Sequence, residues 1–112
     1  MQPGVLAIEA DNQVIGVIGV GARLGYWLAR AWHGQRLMTE AAEAVVAWHF
    51  KFDGGPLASD HFAGNDASRR ILLRLGFIDD GSEVVHALPL GRDVVLQKLV
   101  LTPKAWAGRP RD

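Results

Sequence analysis

Between residues 24 and 52 the chain passes from an apolar run to a helical pattern through one short loop, and that succession restricts the fold more than any other feature. Residues 24–29 read as a buried strand. Arg30-Ala31-Trp32-His33-Gly34-Gln35-Arg36-Leu37-Met38-Thr39-Glu40-Ala41 follows, with the helical pattern over 38–52. A strand that feeds a helix this directly leaves the first helical N–H groups without backbone partners. The helix dipole adds partial positive charge at the same place. Such an end suits an anion, most often phosphate. Asp53-Gly54-Gly55-Pro56 stops the helix, and residues 57–62 read as another strand. Strand, helix and strand in succession predict a βαβ unit with a right-handed crossover and a parallel pair.

Around this unit the pattern is antiparallel. Residues 5–10 and 14–20 read as strands joined by Asp11-Asn12-Gln13, a turn of residues that tolerate the left-handed region. Gly16, Gly19 and Gly21 weaken the second strand unless another backbone comes close. In the helix at 38–52, Met38, Ala41, Ala42, Val45, Trp48 and Phe52 share one apolar face. Asn65 or Asp66 caps a further helix, with Ala67, Ile71, Leu72 and Leu75 on its buried face and Gly76 at its left-handed end. Residues 84–88 and 93–101 make a final hairpin through Pro89-Leu90-Gly91-Arg92. The expectation is an α/β (α+β) chain with a mixed, mostly antiparallel sheet, one domain over 1–102 and a flexible tail over 103–112.

With 112 residues the chain suits one core, and its balanced charge (12 basic against 12 acidic residues) lacks the basic excess of a nucleic-acid binder. The absence of cysteine excludes disulfides, thiolate metal sites and a cysteine nucleophile. No His/Asp/Glu cluster has metal spacing, so no metal is assigned, and His33, His49 and His61 read as structural or surface residues sooner than ligands. No apolar run nears the ~20 residues of a membrane span, and the N-terminus lacks a signal-peptide pattern. The expected setting is cytoplasmic, with no membrane and no nucleic-acid partner.

Two motifs carry a family resemblance. Asn65-Asp66-Ala67-Ser68-Arg69-Arg70-Ile71-Leu72-Leu73-Arg74-Leu75-Gly76-Phe77 is one. Gly25-Tyr26-Trp27-Leu28-Ala29, followed by Gly34 and then Thr39-Glu40-Ala41, is the other. The chain resembles the GCN5-related N-acetyltransferases (GNAT), in their ribosomal-protein alanine acetyltransferase branch, over about residues 5–101. The resemblance departs from the family at Arg36, where a glycine is usual, and at Met38, where a small residue is usual. His33 stands where an aromatic or basic residue is usual. The family's opening strand and helix pair, which form one wall of the acceptor site, have no counterpart ahead of residue 5. The chain then reads as a short form, a mis-assigned start or a fragment, with exposed apolar surface and a possible homodimer.

The resemblance implies acetyl-CoA as co-substrate and a primary amine as acceptor. It sets the pyrophosphate on the loop of His33, Gly34, Gln35, Arg36, Leu37, Met38 and Thr39. The pantetheine arm adds along Tyr26, Trp27 and Leu28, and the Leu28 N–H is the oxyanion donor. Asn65 holds the arm, Ser68 meets the leaving thiolate, and Arg74 or Arg70 pairs with a phosphate. A base must strip the ammonium, with Glu83 and His86 as candidates. Each residue also has a plainer role: a tight turn at Gly34, a helix cap at Asn65 and a first-turn polar residue at Ser68. Arg69, Arg70 and Arg74 of the Asn65–Phe77 motif can equally be a solvated helix face. An amine N-acetyltransferase competes with a non-catalytic GNAT-fold module that binds CoA or a protein partner. An ATP-binding loop is excluded, because no Gly-Lys-Ser/Thr ending follows.

Overall fold

The structure, a computed structural model, describes residues 5–21, 23–34, 36–52 and 54–109. Among the expected features, Gln35, Asp53 and the two chain ends (1–4 and 110–112) lie outside them. In chain order the elements are β1 (Val5–Ala10), β2 (Gln13–Val20), β3 (Leu24–Leu28), α1 (Leu37–Phe52), β4 (Leu57–Phe62), α2 (Asp66–Leu75), β5 (Ile78–Ala87), β6 (Arg92–Leu101) and α3 (Pro103–Ala107). The class is mixed α/β with antiparallel sheets, ordered β1-β2-β3 and β4-β6-β5. By compactness the chain divides into two units, Met1–Leu57 and Ala58–Asp112. No helix among the described residues is long and apolar enough to cross a membrane.

In the first unit, Asp11 (φ 52°) and Asn12 (φ 64°) make a two-residue hairpin turn between Ala10 and Gln13. Positive φ at both positions matches the right-handed twist of the flanking strands. β2 then pairs antiparallel with β3, Gly16 opposite Leu28 and Val17 opposite Trp27. A Cβ on Gly16 would meet the Trp27 carbonyl at 2.6 Å, which is the close backbone approach that a glycine in this strand requires. Ile15, Ile18, Val20 and Leu24 form the core with Met38, Ala42, Val45 and Val46 of α1.

The buried stripe of α1 differs from the expected one. His49 is buried, whereas Trp48 and Phe52 are exposed and stack on each other at the helix surface, 5.7 Å between centroids. His49 is admitted because its Nε2–H donates to the Gly55 carbonyl at 2.8 Å, so the buried imidazole keeps a polar partner. The succession β3, α1, β4 is present as expected. Its strands pair with β2 and β6 respectively, so the helix links two sheets and does not close a parallel rung within one.

In the second unit, α2 ends in a Schellman turn. Phe77 N–H returns to the Leu72 carbonyl and Gly76 N–H to that of Leu73, both at 3.0 Å, with Gly76 at φ 103°. Leu72, Leu75, Phe77, Leu99 and Leu101 are buried, and each such side chain contributes roughly 1.5–3 kcal/mol. β5 begins six residues earlier than expected. Pairing with β6 carries the turn-like Asp79-Asp80-Gly81 into the strand through a bulge between Asp79 and Ser82. The tail expected to fray over 103–112 begins instead with α3. Thr102 Oγ1 accepts the Ala105 N–H at 3.1 Å, and Pro103 occupies the first turn.

Candidate functional site

The first unit holds the end of β3 and the loop that follows. Ala29 donates its N–H to the Ile15 carbonyl at 2.6 Å. Successive residues of an antiparallel ladder turn their backbone groups alternately toward and away from the partner strand. The N–H and C=O of Leu28 therefore face away from β2, on the outer side of an edge strand. The Leu28 carbonyl accepts Nε2–H of His33 at 2.7 Å, which ties the loop back to the strand end. A 3-10 turn over Arg30–Trp32 lies between them.

Gly34 has φ 82° and Arg36 has φ 61°. The Arg36 carbonyl accepts the first helical bond of α1, from the Glu40 N–H at 3.0 Å. The amides of Leu37, Met38 and Thr39 precede that bond and have no acceptor within the helix. A left-handed residue followed by right-handed helix turns successive N–H groups toward one concavity, a geometry suited to an anion. The side chains of Met38 and Thr39 are buried in the core, so these two offer the loop only their backbone. Tyr26 is half-buried and Trp27 exposed, on opposite faces of β3.

The second unit brings Asn65 and Ser68 together at the start of α2. Asn65 Oδ1 accepts the Ser68 N–H at 3.2 Å, so the cap role and any ligand role fall on one side chain, whose amide NH₂ keeps its two donors. Arg74 does not join them. It is half-buried in the last turn, about 9 Å further along the axis than Ser68. Arg70 folds its Nε back toward the Asp66 carbonyl at 3.4 Å. Glu83 and His86 stand three residues apart on β5 and so project from opposite faces.

Two partners escaped the sequence reading. Asp93 lies directly across the ladder from His86, its Oδ1 3.0 Å from His86 Nδ1. The carboxylate accepts, so Nδ1 carries a proton, and in the neutral ring Nε2 is the acceptor. The signal was the hairpin register, which depends on the length of the connecting loop. Arg69, read as part of a solvated face, makes a bidentate pair with Asp79, both bonds 2.8 Å. That hydrogen bonding holds the Asp79 carboxyl below its ordinary range, with Coulombic attraction to the Arg69 guanidinium adding to it against partial desolvation. Among the described residues no group of three His, Asp or Glu could hold a metal ion.

Residues 2–78 match the model of the acetyltransferase (GNAT) domain. The Bacillus subtilis (strain 168) protein YdaF, a ribosomal N-acetyltransferase by name, is 26% identical over 90 residues, 78% of this chain and 48% of YdaF. The chain thus spans about half the length of that curated relative. Among solved structures, yncA from Salmonella typhimurium with its cofactor acetyl-CoA superposes with a TM-score of 0.79 at 18% identity, over 88% of this chain and 64% of that one. The ribosomal-protein-alanine N-acetyltransferase from Brucella melitensis gives 0.78 at 20% identity, over 88% and 67%. At these identities the structures speak to the fold, and the fold is the same. The family model covers more than half of the sequence, and this chain belongs to the GNAT acetyltransferase domain family.

Proposed function

We propose that the chain is an acetyl-CoA-dependent N-acetyltransferase that moves the acetyl group to a primary amine, a protein N-terminus or a small molecule, by direct attack, in a cytoplasmic setting. One observation carries this reading: the Leu28 N–H faces away from β2 at the end of an edge strand, a few residues before the N–H concavity of Leu37, Met38 and Thr39. An extended ligand with an anionic end would hydrogen-bond along β3 and place its phosphates on that loop. The loop residues are His33, Gly34, Gln35, Arg36, Leu37, Met38 and Thr39, with Tyr26 and Trp27 flanking the arm.

The residue roles are those that the family resemblance implies. His86 in its neutral form takes the ammonium proton on Nε2, while Asp93 orients the ring through Nδ1. Its oriented ring favours His86 over Glu83. The amine nitrogen then attacks the thioester carbon, and the Leu28 N–H stabilises the oxyanion, an effect of about 3 kcal/mol in comparable sites. The C–S bond breaks, Ser68 passes its proton to the leaving thiolate, and the surplus proton on the new amide nitrogen passes through water to the Ser68 oxygen, which leaves amide, thiol and hydroxyl all neutral. Asn65 donates its amide NH₂ to the arm, and Arg74 pairs with a phosphate.

Calorimetry with acetyl-CoA and with ATP, followed by a thiol-release assay with amine acceptors, tests the proposal. Acetyl-CoA binding and release of free thiol are expected. Absence of acetyl-CoA binding, or a preference for ATP, would refute it. A second reading, a non-catalytic GNAT module that binds coenzyme or a protein partner, draws on the non-glycine Arg36 at φ 61°. Coenzyme binding with no thiol release from any amine would favour that reading.

A further inference from the structure

His61, near the end of β4, is only 7% exposed, and both of its ring nitrogens are engaged. Nδ1 lies 2.9 Å from the Phe62 carbonyl, and Nε2 lies 3.4 Å from Nη1 of Arg69. A carbonyl can only accept and a guanidinium can only donate. The ring therefore carries its proton on Nδ1 and presents a bare Nε2 to Arg69. The same guanidinium holds Asp79 with both terminal nitrogens, at 2.8 Å each. Arg69 thus ties α2 to the end of β4 through His61 and to the start of β5 through Asp79.

These bonds converge on the first turn of α2. The Phe62 carbonyl that receives His61 also accepts the Asn65 N–H at 3.0 Å, and the Asn65 carbonyl accepts the Arg69 N–H at 3.1 Å. Asn65 Oδ1 holds the Ser68 N–H, and Ser68 immediately precedes Arg69. A planar fork with five donors can serve an imidazole and two carboxylate oxygens together, whereas an ammonium on a flexible stem cannot match that geometry.

We propose that Arg69 is a positioning residue, which through His61 and Asp79 fixes the first turn of α2 and with it the side chains of Asn65 and Ser68. Its catalytic meaning rests on the reading of those two residues as coenzyme-facing. Its structural meaning does not, and the two are tested separately.

The test uses Arg69→Lys and, as a milder second variant, Asp79→Asn in the full chain. On the protein alone, nitrogen NMR is expected to show His61 protonated at Nδ1 in the wild type. Hydrogen exchange at the Ser68 amide is expected to quicken by about tenfold in Arg69→Lys and less in Asp79→Asn. In turnover, Arg69→Lys is expected to lower kcat by roughly ten- to a hundredfold, as sub-ångström misplacement does, with a smaller change in KM for acetyl-CoA. A wild-type His61 protonated at Nε2, or Ser68 exchange unchanged in both variants, overturns the proposal. Unchanged kcat in Arg69→Lys overturns its catalytic part. A wild type that fails to bind acetyl-CoA refutes the proposed function and leaves the exchange and tautomer results to decide whether the clamp exists.

Discussion

Arg36 accepts the first helical hydrogen bond of α1 from Glu40, at 3.0 Å, while its own backbone sits at φ 61°. A left-handed conformation costs an L-residue roughly 1–2 kcal/mol relative to glycine. The loop thus carries a side chain on backbone that suits glycine. Arg36→Gly is expected to raise the unfolding free energy by about 1 kcal/mol, read from denaturant melts. If the guanidinium clamps a phosphate, as proposed, the change also weakens acetyl-CoA binding, with a loss that shrinks at high salt. Tighter binding by the glycine variant at every salt concentration would make the arginine an obstruction.

Ser68→Ala is expected to lower kcat far more than it weakens coenzyme affinity, because the hydroxyl is proposed to meet the thiolate only as it leaves. The backbone bond from Ser68 to Asn65 survives the change. Comparing steady-state kinetics with calorimetry separates the two effects. Normal turnover would reduce Ser68 to a polar first-turn residue.

At Gly76 a substitution meets two penalties. The backbone is at φ 103°, and a Cβ would lie 2.8 Å from the Ala105 carbonyl. Gly76→Ala is expected to destabilise the protein by more than about 1 kcal/mol. A denaturation midpoint equal to wild type would show that α3 does not press on the Schellman turn.

The Asp79 carboxyl is held below its ordinary value chiefly by hydrogen bonding from Arg69. Its contribution to stability is therefore present above the ordinary carboxylate value and is lost as pH falls through the depressed one. Asp79→Asn should remove that part of the acid-induced loss. Parallel pH-dependent slopes for variant and wild type, in urea melts between neutral pH and strong acid, would contradict the assignment.

Ala7, Val17 and Trp27 stand opposite one another across β1, β2 and β3, and Trp27 is 59% exposed. An exposed apolar row on a sheet with an open edge favours association. Self-association to a dimer or larger species is expected at high concentration and should diminish in Trp27→Ser. Light scattering that reports a monomer throughout would refute it.

Local chemistry wrote much of the fold into the sequence. Asp11 and Asn12 tolerate left-handed backbone, Asn65 has the acceptor that a helix start needs, and Gly76 fits the end of α2. All three act as their types dictate, because caps and tight turns depend on a few neighbouring residues. Apolar periodicity likewise located β2, α1 and β4 to within a residue or so. Thr102 and Pro103 also form a local helix start, although the polar composition around them suggested a frayed tail.

Tertiary structure decided what depends on distant partners. His49 is buried in place of Trp48 because a carbonyl beyond the end of α1 receives its proton. Asp79-Asp80-Gly81 is strand because β6 pairs with it through a bulge. His86 faces Asp93 because the connecting loop spans residues 88–91; a loop at 89–92 would have set His86 opposite Val95. Arg69 joins His61 and Asp79 from three separate elements. In each case the deciding energy is a hydrogen bond or buried surface supplied by residues far along the chain, whereas local propensity reports only what the neighbours permit.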